Sequence, residues 1–359
     1  MQIFVTGGSG FIGRSLIKQL IARGDTVVAL VRSEPSAAIV LALGATPIFG
    51  DLDNIDALEA GMQQVDVVFH LAAHYAMDGF GAAADDVRRM EQANIIGTHN
   101  VLRVAHALNV PKIVVTSSIA IFGDTGGLLI CEEALSQPTF AQRTAFLSAY
   151  EQTKWRAYVD VIQAFLQRGA PIVTVLPSVV YGLDGGGIVA TLLKAVRAKL
   201  PLVVGSDTQI SLTHVDDVAM GHLLAAERGR VGESYILAGD VMTVGALVKL
   251  VSGIGGQPVP HLIESKTVEP LVALGKLVRV EPEILNLLGV SYLGSAEKAR
   301  RELGWTSRPL FEGLTELVHK TGAPTKKKTY LPIANSTALL AAGGLVLAWR
   351  LLRREDSNQ

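Results

Sequence analysis

Tyr150 and Lys154 stand four residues apart in Ala149-Tyr150-Glu151-Gln152-Thr153-Lys154-Trp155, a spacing that puts both on one face of a helix. A phenol with its ordinary pKa of about 10 exchanges protons poorly at neutral pH. A nearby ammonium favours the phenolate and lowers that pKa, which makes a tyrosine usable as acid or base toward a carbonyl or an alcohol. By itself the pair is a common coincidence of sequence. It gains meaning from Thr116-Ser117-Ser118 upstream, at the end of an apolar strand, where an exposed hydroxyl could hold the same substrate oxygen. Strand ends of this kind are where open α/β sheets bind ligands.

A second constellation opens the chain. Thr6-Gly7-Gly8-Ser9-Gly10-Phe11-Ile12-Gly13 reads as GxxGxxG on Gly7, Gly10 and Gly13, or as GxGxxG on Gly8, Gly10 and Gly13. Glycine serves the tight turn, the approach of backbone to a pyrophosphate, and close helix–strand packing. The helix that begins at Phe11 and Ile12 then offers free N–H groups and a partial positive charge to the phosphates. The next strand ends in Arg32-Ser33, where an NAD enzyme usually places an acid for the ribose 2′-hydroxyl. An arginine there suits a 2′-phosphate, so NADP is the expected cofactor, with NAD left open by the nearby Glu34.

The elements that must position these groups alternate from the first residue. Ile3–Val5, Thr26–Val31, Thr46–Phe49, Val65–Leu71, Ile113–Thr116 and Ile172–Leu176 are apolar β runs. Phe11–Ala22 and Asn94–Leu108 carry helical spacing. Apolar strands alternating with helices predict an α/β fold, a Rossmann-type doubly wound parallel sheet. We expect a dinucleotide-binding domain over 1–176 and a smaller substrate-binding region over 177–323, interleaved with the sheet. A basic linker and tail would occupy 324–359.

Composition narrows the class. The 359 residues are 49% hydrophobic and 18% charged, which disfavours disorder and a nucleic-acid binder living on basic charge. Cys131 is the single cysteine, so neither an internal disulfide nor a cysteine-built zinc site can form. His70, His74 and His214 show no metal-ligand spacing, and no metal is expected. His214 is read as a structural hydrogen-bonding group, and Asp85-Asp86 with Arg88-Arg89 as a solvated helix face. Tyr75, Met77 and Phe80 are candidates for a substrate pocket.

With these features in view, the sequence resembles the extended short-chain dehydrogenase/reductases, which belong with the NAD-dependent epimerases and dehydratases. The matching segments run in family order over roughly residues 1–320. They are the TGGSGFIG loop, Gly50-Asp51-Leu52, His70-Leu71-Ala72-Ala73, Asn94-Ile95-Ile96-Gly97-Thr98, Ser117-Ser118 followed by Phe122-Gly123, Tyr150/Lys154, Pro177…Tyr181-Gly182 and His214-Val215-Asp216-Asp217-Val218-Ala219. The resemblance implies that Ser118, Tyr150 and Lys154 are catalytic. It places Asp51 and Leu52 by the adenine, has Ala72 and Ala73 line the cofactor, and brings Pro177 to the nicotinamide. It also implies that Asp216 and Asp217 cap and orient a helix, and it suggests a homodimer through the Tyr150 helix.

Departures from the family pattern bear on substrate. Nucleotide-sugar members usually carry a phosphate-clamping Arg four residues before the His of the HVxD segment, and Ile210 stands there. They also usually read RPxNVYGP, where this chain has Leu176-Pro177-Ser178-Val179-Val180-Tyr181-Gly182-Leu183. Buried phosphate oxygens need partners, so an aliphatic replacement points to a less charged substrate. The dihydroflavonol reductase, 3β-hydroxysteroid dehydrogenase and hopanoid-associated epimerase-like branch fits better. The expectation is an NAD(P)-dependent oxidoreductase interconverting a hydroxyl and a carbonyl on an apolar or polycyclic small molecule. Rival readings are an NAD-dependent sugar epimerase or dehydratase and a non-catalytic, cofactor-sensing membrane protein.

The formal charge of −1 hides an asymmetry. Residues 324–359 hold six Lys/Arg against Glu355 and Asp356, a sum of +4, so residues 1–323 sum to −5. Lys326-Lys327-Lys328 precede the apolar stretch 331–349, and Arg350, Arg353 and Arg354 follow it. At a rise of 1.5 Å per residue this stretch is about as long as a hydrocarbon core is thick. Tyr330 and Trp349 stand where interfacial aromatics belong. Pro332, Asn335, Ser336, Thr337 and Gly343-Gly344 weaken a transmembrane helix, and leave open an amphipathic helix that lies on the bilayer or docks on the body. With no secretory signal at the start, the expectation is a cytoplasmic body attached to a membrane by an apolar C-terminal helix.

Overall fold

In the computed structural model, described over residues 1–75, 84–267 and 289–322, the alternation of apolar strands and amphipathic helices resolves into one dominant sheet. Its first half is β1 (Gln2–Thr6), α1 (Phe11–Ala22), β2 (Thr26–Val31), α2 (Glu34–Ala42), β3 (Thr46–Phe49), α3 (Ile55–Met62) and β4 (Val67–His70). Then come α4 (Ala84–Glu91), a π-turn at Gln92–Ile96, α5 (Gly97–Ala107) and β5 (Lys112–Thr116). A short helix α6 (Pro138–Ala141) leads to α7 (Ala149–Arg156), a second π-turn at Ala157–Ile162, α8 (Gln163–Gln167) and β6 (Ile172–Pro177).

Beyond β6 the chain makes β7 (Val179–Tyr181), α9 (Gly187–Arg197), β8 (Leu202–Val204), β9 (Gln209–His214), α10 (Val215–Arg228) and β10 (Ser234–Leu237). It ends in β11 (Asp240–Thr243), α11 (Val244–Ile254), β12 (His261–Ile263) and α12 (Leu310–Gly322). The predicted helix Asn94–Leu108 is therefore a π-turn followed by α5. The extra residue in the turn puts Asn94 into the interior, a use of π-turns common at functional sites.

The main sheet is seven-stranded in the order β3-β2-β1-β4-β5-β6-β10, every neighbouring pair parallel. Order reverses between β1 and β4, which opens the ligand crevice at the strands' carboxyl ends. The α/β Rossmann-type expectation holds. Strands buried on both faces explain the unbroken apolar runs, with Phe4, Val5, Val68, Val114 and Val173 fully buried. The last strand, β10, comes from beyond residue 177, so the sheet draws on both halves of the sequence. Its outer edge is closed by side chains: the buried Glu132 carboxylate accepts from the Ile236 N–H at 2.7 Å, and Lys298 Nζ donates to the Ser234 carbonyl at 2.9 Å.

A second core gathers Tyr181, Val189, Leu192, Val196, Leu212, Leu247, Val251, Leu314 and Leu317 from β7, α9, β9, α11 and α12. The small sheet β11-β9-β7 and the pair β12-β8 frame it. Arg308 locks this region to the first: its guanidinium chelates Asp217 of α10 at 2.8–3.1 Å. Trp305, fully buried, donates to the Asp217 carbonyl at 2.7 Å. Residues 324–359 lie outside the described residues, as do Met77 and Phe80. Among the described residues no helix is long and apolar enough to cross a membrane.

Candidate active site

The phosphate loop explains its own glycines. Gly7 takes a φ of +75°, a conformation that costs L-residues energy and glycine nothing. A Cβ on Gly7 would come within 2.6 Å of the Ala72 amide nitrogen, and a Cβ on Gly13 would overlap the Gly7 carbonyl oxygen. The backbone thus requires glycine at positions 7 and 13, and Gly10 N–H closes the turn on Gly7 O at 3.0 Å. Helix α1 begins after Gly10 with no side-chain cap, so its first-turn N–H groups at Phe11, Ile12 and Gly13 face the crevice as donors for an anion.

Around this loop the other expected cofactor residues sit at strand ends. Ala72, after β4, donates its N–H to Thr6 Oγ1 at 3.3 Å, and Ala73 follows it. Arg32 is exposed directly after β2, and Ser33 caps α2 by accepting from Ser36 N–H. Asp51 Oδ1 accepts the N–H groups of Asp53 and Asn54 at 2.9 and 3.0 Å, so its carboxylate also builds the turn into α3. The Leu52 carbonyl is held by Asn100 Nδ2 at 3.0 Å. Pro177 ends β6 opposite Leu237. Ser117 Oγ, at the crevice end of β5, is buried with no hydrogen-bond partner among the described residues. A buried hydroxyl of this kind, an uncapped helix start and a loop with no room for side chains together fit a dinucleotide.

The chemistry-bearing side chains converge beyond the loop. Helix α7 starts at Ser148, whose hydroxyl accepts from Glu151 N–H at 3.2 Å, and it carries Tyr150 and Lys154 on the side facing β5. Lys154 is 6% exposed and donates to the Thr116 carbonyl at 3.2 Å. Burial pulls its pKa down to about 8. Burial likewise pushes the Tyr150 phenol well above its ordinary range, opposed by a hydrogen bond with Ser118 and aided by the neighbouring Tyr75. The lowering of Tyr150 by Lys154 expected from the sequence is therefore not what governs the phenol among the protein's own groups. Ser118 is the group that counteracts burial. Tyr75 sets its ring edge-on to Tyr150, with centroids 4.7 Å apart.

Buried polar groups fix the frame of the site. His70 bridges Thr6 Oγ1 at 2.7 Å and Thr98 Oγ1 at 3.0 Å, and burial drops its pKa to about 3. Asn94, in the π-turn, accepts from His74 N–H at 2.8 Å and donates to Thr153 Oγ1 at 3.1 Å, tying the β4 loop to α7. His222 of α10 donates to the Val218 carbonyl and meets Thr116 Oγ1 at 2.8 Å. His214 caps α10 by accepting from Asp216 N–H at 3.2 Å, the structural place expected for it. Asp216 accepts from Ser15 of α1 at 2.5 Å. Among the described residues no group of three or more His, Cys, Asp or Glu side chains could hold a metal ion.

One pair next to Tyr150 escaped the sequence reading. Glu151 is 0% exposed and forms an ion pair with Arg143 Nη2. It also accepts from Leu147 N–H at 2.9 Å and from the Tyr292 hydroxyl at 3.5 Å. Nothing in the spacing of residues 143 and 151 distinguishes them from a solvated pair on either side of a helix start. The signal was compositional only: an acid directly beside the candidate tyrosine.

Residues 3–238 match the NAD dependent epimerase/dehydratase family. Over 328 residues the chain is 37% identical to a 4-hydroxy-2-methyl-3-oxo-4-farnesyl-3,4-dihydroquinoline-1-oxide ketoreductase of Stigmatella aurantiaca, covering 86% of this chain and 92% of that protein. It is 30% identical to a putative dihydroflavonol 4-reductase of a Synechocystis strain, over 88% and 93% of the two chains. The crystal structure of gox2253 superposes with a TM-score of 0.74 at 29% identity, covering 89% of this chain and 98% of that one. With that match over most of its sheet and a site built on its glycine loop and Tyr150/Lys154 helix, the chain belongs to the NAD-dependent epimerase/dehydratase family, as an NAD(P)-dependent short-chain dehydrogenase/reductase.

Proposed function

We propose that the chain reduces a ketone, or oxidises the matching alcohol, on an apolar or polycyclic small molecule. The observation that carries this reading is Ile210: where nucleotide-sugar enzymes place a phosphate-binding arginine, this side chain is buried in the second core. Val179, in place of the family's asparagine, packs against the same core. A diphosphate at this position would lose its counter-charge and its amide. The substrates named in two relatives, a quinoline ketone and a dihydroflavonol, are of the class that such a surface would accept.

In this reading Tyr150 passes its phenolic proton to the carbonyl oxygen during reduction, and takes it from the hydroxyl in the reverse direction. In the free site the single Ser118 proton goes to the Tyr150 oxygen and holds the phenol below the pKa that burial alone would give; with substrate bound it turns to the carbonyl oxygen. Lys154, anchored on Thr116 O, would hold the cofactor ribose. The nicotinamide, when bound, supplies or takes the hydride. Gly7, Gly10, Phe11, Ile12 and Gly13 would hold its pyrophosphate, with Asp51, Leu52, Ala72, Ala73 and Pro177 around the rest. Arg32, exposed where a 2′-phosphate would lie, favours NADP over NAD. The apolar stretch 331–349 with its flanking cations would attach the cytoplasmic body to a membrane, a reading that rests on sequence alone.

The test is a panel of cyclic and polycyclic ketones and alcohols with NADPH and NADH, followed at the nicotinamide absorbance. Turnover of NADPH with a polycyclic ketone is expected. Cofactor retained through purification, with interconversion of a nucleotide sugar and no net NADPH use, would replace this reading with epimerisation. Flotation of the full chain on anionic vesicles, against a chain ended at residue 323, tests the tail.

A further inference from the structure

We propose that Glu151, with Arg143, is a positioning device that sets the separation of Tyr150 from Ser118, and so controls the proton-transfer step rather than substrate binding. This rests on the reading of Tyr150 as acid/base with Ser118 as its partner. The two hydroxyls come from different elements, α7 and the turn after β5, and something must fix one against the other. The turn Ile119–Phe122 follows directly from Ser118, whose hydroxyl caps it by accepting from Ala120 N–H at 3.2 Å. Arg143 spans the gap: Nη1 donates to Ile121 O of that turn at 3.1 Å, while Nη2 pairs with Glu151, the residue after Tyr150.

The rest of the cluster fixes the span. Arg143 stacks on Phe146, 4.7 Å from guanidinium to ring centroid, and fills the space against Gly123, where a Cβ would meet Nη2 at 2.5 Å. Glu151's second oxygen takes Leu147 N–H and the Tyr292 hydroxyl. The carboxylate thus holds the segment leading into α7, and Tyr292 on the chain's return, in one knot around a buried acid. A surface ion pair would be flexible and weak. A buried pair whose charges are all hydrogen-bonded has one geometry, and truncating one partner leaves the other charge stranded.

The test must separate position from stability. In Arg143→Met/Glu151→Leu, an apolar pair of similar volume replaces the ion pair, a change that commonly preserves or raises stability. We expect a thermal midpoint near that of the parent and NADPH affinity and substrate KM within about threefold, but kcat lower by about tenfold or more, the signature of an interaction realised only in the transition state. The alcohol-oxidation limb of the pH profile should also move up by about half a unit or more, since a loosened Ser118 bond no longer offsets burial of the phenol. A merely structural pair would leave that limb in place. Arg143→Lys keeps the charges but cannot reach both Glu151 and Ile121 O, and should lose kcat by about threefold with KM unchanged.

If the double variant does not fold, Arg143→Lys carries the test. A folded variant with kcat within about twofold of the parent and an unmoved limb overturns the proposal. Tyr150→Phe in the same assays distinguishes the two failures. If it keeps activity, the acid/base reading falls first; if it is inactive while the Arg143 and Glu151 variants are not, only the positioning proposal falls.

Discussion

The two cores of this molecule solve different problems. Around the seven-stranded sheet, polar side chains are taken inside and bonded across elements: His70 to Thr6 and Thr98, Asn94 to His74 and Thr153, His222 to Thr116. Around β7, β9, α9, α11 and α12 the packed cluster is mainly aliphatic, with Ile210 within it and Val179 against it. The first arrangement fixes the backbone around the glycine loop and the Tyr150 helix. The second supplies an aliphatic wall beyond them. One region is held by directional bonds, the other by packing, and a site on such a fold can be re-specified through the packed side.

Acid should expose that contrast most strongly. His70 and His222 have folded pKa values of about 3 and about 4, well below the 6.5 of an unperturbed imidazole. Their contribution is complete above about pH 6.5 and is lost as pH falls toward those folded values, because the unfolded chain then takes up protons that the fold cannot. The loss should reach the order of a few kcal/mol by pH 4. Thermal unfolding followed from pH 7 to 4 should show a steep fall, flattened in His222→Asn. A pH-independent midpoint would break the contrast.

Ile210→Arg probes the other core. A cation placed there without a partner should cost about 3–5 kcal/mol, read as a lowered denaturation midpoint. If the variant were instead stable and bound a nucleotide diphosphate in calorimetry, the second core would be a phosphate pocket missing one residue, and the apolar reading would fail.

The glycine loop gives the next effect. Gly13→Ala forces a Cβ into the Gly7 carbonyl, and fluorescence titration should show dinucleotide affinity down by about 100-fold, since close backbone approach is what the loop provides. Smallest of the four is Arg32→Ser, for which the preference for NADPH over NADH should fall by about tenfold as one charge-assisted phosphate contact is removed. An unchanged ratio would assign Arg32 to solvent.

The same contrast governs what the sequence revealed. Gly7 and Gly13 were legible because the backbone there leaves no room for a side chain, and Tyr150/Lys154 because one helix face carries both. The parallel sheet was legible from apolar runs, and helix α1 was placed to the residue. The π-turn at Gln92–Ile96 was not, because an inserted residue leaves the apolar period almost intact. Glu151 and Arg143 were hidden for another reason: their partners, Ile121 O and Tyr292, come from distant chain, and only folding shows that the acid beside Tyr150 points inward. Asp51 shows the reverse, a residue anticipated for a ligand that also serves the turn into α3.

On the outer edge of β10, Glu132 and Lys298 stand where another molecule's strand could otherwise pair. A parallel sheet ends in two rows of unsatisfied amides, each a template on which another molecule's strand could add. Here one row is occupied by Glu132 and Lys298. The other belongs to β3, only four residues long and carrying Pro47, which has no N–H to offer. Strand addition is thus opposed at the two edges by unrelated means, side-chain bonds on β10 and a proline in a short β3.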